Sequence, residues 1–191
     1  MKKLTLNQRS GKSLKAWSNT NGKGNPEDQG SYYEGDILLD RRHDARNGVI
    51  QESLKWTKKI IPSVGGRQIV NLQSPACLMK VGTAVHKLLH VCGLFHEQNR
   101  SDRDNYVRIK FDNINTDVFI NFEKMPESEI SSYGVKYNVG SVLHYSSYAF
   151  SKNSKKTIEV IANSPLNSKI GQRDELTDDD VKKINAMYYS K

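Results

Sequence analysis

The sequence predicts an α+β domain whose helices concentrate in its second half, and three stretches carry that prediction. VGTAVHKLLHVC places its apolar residues at helical spacing, LTDDDVKKINAMYYS does the same behind a capping signal, and GRQIVNL reads as a strand. Taken in order, residues 1 to about 30 are rich in Lys, Asn, Gly and Ser and show neither a period of 2 nor one of 3.6, so a loosely attached leader is expected. YYEGDILLDRR, Tyr32 to Arg42, is a short extended segment that runs into a basic cluster. GRQIVNL, Gly66 to Leu72, has Gly-Gly before it and Ser-Pro after it, which bound a strand. From about Lys80 to Cys92 a helix follows, with Gly93 as its left-handed stop. DNINTDVFINFEKM, Asp112 to Met125, suggests a second helix. The third begins at Thr177, the natural N-cap, with three aspartates at the positive end of its dipole and Val181, Ile184 and Tyr188 as its apolar face. There are no internal repeats.

Composition narrows the classes of function. Of 191 residues, 36% are apolar and 26% charged, which implies a modest core. The net charge of +8 raises the question of nucleic acid, but the basic residues are scattered in KK and RR pairs with no long run and no interleaved aromatics. A solvated basic surface is the reading, and no nucleic-acid partner is expected. Two cysteines, Cys77 and Cys92, cannot build a dense disulfide framework. The opening MKKLTLNQRSGKS lacks the apolar stretch of a secretory signal, and nothing later approaches the roughly 20 apolar residues of a membrane span. The expectation is a soluble chain with no readable address.

The chemistry sits in VHKLLHVCGLFHEQNRSDRD, Val85 to Asp104. Helix positions i and i+4 share a face, so His86 and His90 can present two imidazoles to one ion. A chain that turns at Gly93 can bring His96 back as the third. Three histidines leave a fourth position of a zinc ion open to water, the arrangement of a catalytic site and not of a closed structural one. A lone histidine on an apolar helix is usually a core residue, whereas here three of the five fall within eleven residues at H-x-x-x-H-x-x-G-x-x-H.

This spacing is the metzincin pattern. HEQNRSDRDNYVRI, His96 to Ile109, closely resembles the astacin family of zinc endopeptidases. GGRQIVNL looks like that family's cleft-edge strand, SVLHYSSYAFS resembles its turn beneath the metal, and IGQRDELTDDDVKKINAMY is similar to its C-terminal helix. The resemblance covers about Ser63 to Tyr189. It implies a metzincin-like catalytic domain, one Zn2+ per chain, hydrolysis of peptide bonds by zinc-activated water, extended peptide or protein substrates, and a family that is typically extracellular. YYEGDILL resembles the propeptide segment whose aspartate, here Asp36, occupies the zinc of the latent enzyme; a turn aspartate after Gly35 is the plainer reading. DARNGVI looks like the activation site, with cleavage between Arg46 and Asn47, so residues 1–46 form a propeptide-like leader and 47–191 a shortened metallopeptidase domain. In the family the freed amine reaches the glutamate after the third histidine, here Glu97, which on the residues alone is equally a surface carboxylate paired with Arg100 or Arg103. Tyr145 matches the family's hinged auxiliary ligand, and is otherwise a packed strand aromatic. Leu143 stands where the turn's methionine is expected, a change of similar volume that costs under about 1.5 kcal/mol.

Three departures bear on activity. Lys87 stands where the general-base glutamate belongs, and an ammonium cannot accept a proton from zinc-bound water. A charge of +1 about 5 Å from a +2 ion also costs roughly 6 to 7 kcal/mol at an effective dielectric near 20, which weakens zinc binding unless the lysine snorkels outward or loses its proton; the plain alternative for Lys87 is a surface helix lysine. Second, Asn47 to Lys191 is 145 residues against about 200 for such a domain, and the shortfall falls between about Pro62 and Val64, where most of the N-terminal sheet belongs. Third, the two bridges that the resemblance implies lack partners near Ile61 and at Ser190, which leaves Cys77 and Cys92 as free thiols, Cys92 in an apolar helix position. The expectation is a family member with little or no peptide hydrolysis. The rivals are a peptide- or partner-binding pseudoprotease and an unstable product of splicing or decay.

Overall fold

The structure, a computed structural model, describes residues 80–161 and 167–189. The leader, Asp36, Arg46, Asn47, the GRQIVNL strand, Cys77 and the chain around Pro62 lie outside the described residues, as does Ser190.

Helix α1 spans Val81–Val91 and buries Gly82, Thr83, His86, Lys87 and Leu89. Its end is set by glycine chemistry. Gly93 sits at φ 90°, a left-handed conformation that a residue with a Cβ adopts only at a cost. With Gly93 there, its N–H donates to the His90 carbonyl at 2.9 Å and that of Leu94 to the Leu89 carbonyl at 3.1 Å, which closes the last turn. Leu89 and Leu94 then pack together with Val142, Leu143 and Met187. The reversal carries the chain back across α1, and His96 with it.

Two three-residue strands, β1 (Val107–Ile109) and β2 (Ile158–Val160), pair antiparallel with Val107 opposite Val160. The sequence reading did not anticipate either. Val107 and Ile158 point into the larger core cluster, where Ile114, Phe122, Tyr145 and Phe150 join them. The segment 137–145 divides the two clusters: Val142 and Leu143 face α1, while Tyr137, Val139 and Tyr145 face the larger core.

The helix expected over Asp112–Met125 is not α-helical. The chain forms 3-10 turns at Phe111–Asn113 and Thr116–Phe122, the latter kinked at Val118. A reason lies in the carbonyls of the second turn: Asn99 Nδ2 donates to those of Asn121 (3.3 Å) and Glu123 (2.8 Å), and Arg103 donates to that of Phe122. Side chains thus fix this backbone in place of a continuing helical ladder.

Helix α2 spans Asp178–Tyr188, and Thr177 caps it as expected: its side chain accepts from Asp180 N while the Asp180 carboxylate accepts from Thr177 N. The buried face differs from the expected one. Ile184 and Tyr188 pack on the core, but Val181 is 43% exposed, and the fully buried positions are Asp180, Lys183 and Met187. Two charged side chains turn inward because each meets a buried partner: Asp180 takes the Ser141 hydroxyl at 2.5 Å, and Lys183 meets Glu97 at 2.5 Å.

Candidate metal centre

His86 and His90 lie on one face of α1, as i, i+4 spacing requires, and the return of the chain after Gly93 puts His96 against both. The Nε2 atoms of His86 and His90 are 2.9 Å apart, and those of His86 and His96 are 3.3 Å apart. The protonation of two rings is fixed by their other nitrogens. His86 Nδ1 lies 2.8 Å from the Val142 carbonyl and His90 Nδ1 lies 2.7 Å from the Leu94 carbonyl. A carbonyl only accepts, so each neutral ring carries its proton on Nδ1 and turns the Nε2 lone pair inward. Two lone pairs facing each other at this distance repel, and a cation between them relieves the repulsion. Tetrahedral zinc with Zn–N bonds of 2.0–2.1 Å has N···N edges of about 3.4 Å, so the His86–His90 edge needs to open by about half an ångström while the His86–His96 edge already matches, and all three ligand atoms lie within 4.8 Å of one another. Among the described residues these three histidines are the group of His, Cys, Asp and Glu able to hold a metal ion. The donor set fits zinc.

Around the histidines the expected site residues fall as follows. Tyr145 is fully buried, its ring centroid 4.5 Å from that of His96. It sits in irregular chain just after the turn at Val142 and Leu143, not in a strand, and its N–H donates to Gln98 Oε1 at 3.1 Å. Leu143 is buried under the site, and its carbonyl accepts the Glu97 N–H at 3.1 Å. Lys87 is only 9% exposed, so it is not the solvated surface lysine that a polar residue on a helix suggests. Cys92 is half-buried and a free thiol, its pKa raised by burial, and it takes no place in the metal group.

Glu97 is not a surface carboxylate. It is fully buried, with Oε2 2.5 Å from Lys183 Nζ and Oε1 3.1 Å from both Arg100 Nη1 and the Asn138 N–H. Burial alone pushes its carboxyl up; Lys183 and Arg100, with the bond from Asn138, outweigh that and hold it below the ordinary range. Arg103 does not pair with Glu97. It reaches Asp104 at 3.1 Å and the Gln98 carbonyl at 3.0 Å.

Sequence reasoning missed four contributors. Lys183 and Asp180 look like solvent-facing charges of a polar helix. His144 and Tyr137 are buried with Tyr137 Oη 2.8 Å from His144 Nε2, and burial depresses the His144 pKa to about 4 despite its bond to the Tyr145 carbonyl. Only the pairing of a histidine with a tyrosine seven residues away hints at this in the sequence.

A three-histidine centre on a helix that ends in a glycine turn, floored by a buried loop bearing a tyrosine, defines the metal-binding half of a zinc peptidase fold. A sequence profile of the astacin peptidase family matches residues 40–189, and the chain belongs to that family. It is 43% identical over 129 residues to zinc metalloproteinase nas-13 of Caenorhabditis elegans, covering 68% of this chain and 28% of the relative. It is 38% identical over 131 residues to the low choriolytic enzyme of Oryzias latipes, covering 69% of this chain and 46% of the relative. The chain thus spans less than half the length of these relatives. Among solved structures it resembles high choriolytic enzyme 1, a hatching enzyme zinc-protease from medaka, at TM-score 0.60 and 26% identity, covering 98% of this chain and 88% of that one. The α+β, astacin-type fold class is therefore correct. No helix among the described residues is long and apolar enough to cross a membrane.

Proposed function

We propose that this chain is a zinc-binding astacin-type domain that hydrolyses peptide bonds little or not at all. The observation that carries the proposal is a single helix register: the face of α1 that gathers His86 and His90 also buries Lys87, at the position of the general base. When bound, zinc supplies a Lewis acid and an acidified water. This chain's residues do the rest. His86, His90 and His96 would hold the ion, and Tyr145, whose ring packs against His96, would serve as auxiliary ligand and hydrogen-bond donor. Lys87 offers no proton acceptor, and loss of acid–base assistance removes roughly 10² to 10⁴ in rate. The ligand class is an extended peptide or protein segment. We propose further that residues 1–46 are a leader whose Asp36 shields the metal, that cleavage between Arg46 and Asn47 removes it, and that Glu97 is the carboxylate the new amine approaches.

The test has two parts. Purified protein freed of loosely bound ions should carry about one zinc per chain, lost in His90→Ala; absence of zinc in the parent would overturn the metal assignment. Lys87→Glu should raise chelator-sensitive cleavage of casein at least 100-fold. Equal cleavage by the parent and Lys87→Glu would sink the role given to Lys87.

A further inference from the structure

Glu97 directly follows His96, and its carboxylate contacts are with Arg100, Asn138 and Lys183, none of them a histidine. Lys183 is the long-range member: it lies 86 residues from Glu97, on α2, and the side chains of both are nearly inaccessible, at 4% and 0% exposure. One turn earlier on the same face, Asp180 accepts from Ser141 Oγ at 2.5 Å and from the Val142 N–H at 3.2 Å. Val142 is the residue whose carbonyl holds His86 Nδ1. Helix α2 therefore grips the histidine centre twice, through Asp180 and Val142 to His86, and through Lys183 and Glu97 to His96.

We propose that Lys183 is a positioning residue of the metal centre: its ammonium is the resident counter-ion of buried Glu97 and fixes the chain at His96, so that the three-histidine site assembles without an amine delivered by a freed chain terminus. This deepens the reading of a zinc-binding domain and rests on it. Charge arithmetic supports it. A buried carboxylate needs a close cation, and Glu97 already has two, Arg100 and Lys183. Arg100 and Lys183 line a cavity of about 280 Å³ together with Ser131, Ser132 and Glu127. An amine arriving through it meets an ion pair already made, and must compete with Lys183. Residues that orient first ligands typically contribute 10 to 100-fold in metal affinity.

The experiment titrates the full, uncleaved chain with Co2+, reading affinity and the visible ligand-field bands of tetrahedral cobalt, with far-ultraviolet circular dichroism of each metal-free protein as the folding control. The parent is expected to show tetrahedral bands, and Lys183→Arg to keep them. Lys183→Met is expected to bind at least 10-fold more weakly with altered bands. Glu97→Gln combined with Lys183→Met removes both charges together and is expected to recover most of the affinity, an outcome that a general packing defect at position 183 would not give. Unchanged affinity and bands in Lys183→Met would overturn the proposal, as would a double variant no better than the single one. No cobalt binding by the parent would instead refute the underlying metal assignment.

Discussion

Asp180 accepts four hydrogen bonds through one buried carboxylate. Its carboxylate accepts from Ser141 Oγ at 2.5 Å, the Val142 N–H at 3.2 Å, the Thr177 N–H at 2.9 Å and Thr177 Oγ1 at 2.8 Å. Asp180→Ala removes all four. Thr177 is partly exposed and can turn to water, so the lost capping box costs about 1 kcal/mol. Ser141 and Val142 are buried, and each donor left without its acceptor costs about 1 to 3 kcal/mol. The Ser141 hydroxyl rotates and can recover part of its share, which brings the expected loss to about 3 to 5 kcal/mol, a large part of the 5 to 15 kcal/mol typical of a domain. Asp180→Asn keeps one acceptor oxygen and should lose about half as much. Urea unfolding at pH 7 with a chelator present, followed by circular dichroism and intrinsic fluorescence, measures both, and coincidence of the two probes licenses a two-state treatment. A loss under about 1 kcal/mol in Asp180→Ala would refute the account of α2 as the clamp on the 141–142 turn.

Two further predictions use other contacts. A Cβ at Gly82 would lie 2.2 Å from the Arg173 carbonyl oxygen and 2.8 Å from the Asp174 nitrogen, both backbone atoms, so Gly82→Ala should destabilise by about 2 kcal/mol although alanine favours a helix by about 1 kcal/mol; a more stable variant in urea would contradict the close approach of α1 to that chain. Buried His144, depressed to about 4 from an ordinary value near 6.5, binds its proton more weakly folded than unfolded, so its contribution is complete above pH 6.5 and is lost as pH falls toward 4. That amounts to about 3 kcal/mol, and the drop in stability from pH 7 to 4.5 should be smaller in His144→Gln than in the parent by about 2 to 3 kcal/mol; identical drops would remove His144 as the cause.

What the sequence disclosed and what it withheld separate along one physical line. The histidine pair, the stop at Gly93 and the cap at Thr177 depend on residues within a few positions of one another, and there local spacing fixes geometry. The strands of three residues each are too short to show alternation, and the turns at Thr116–Phe122 are held by Asn99 and Arg103 from a distant part of the chain. The rotation of α2 is the clearest case. Hydropathy turns Val181 inward and Lys183 outward, and the structure does the reverse because the cost of burying an ammonium is offset by Glu97, 86 residues away. No periodicity within α2 encodes that partner.

The same reasoning constrains Lys87. A lysine at an arbitrary helix position can be accommodated by a small rotation that returns it to solvent, as its long stem allows. Here rotation is blocked: His86 is tied to the Val142 carbonyl at 2.8 Å and His90 to the Leu94 carbonyl at 2.7 Å, while Gly82 is pressed against Arg173 at the other end of α1. The register that makes two histidines into ligands is therefore the register that keeps Lys87 inside. On the proposed reading of Lys87, replacing its side chain is the change that separates metal binding from hydrolysis.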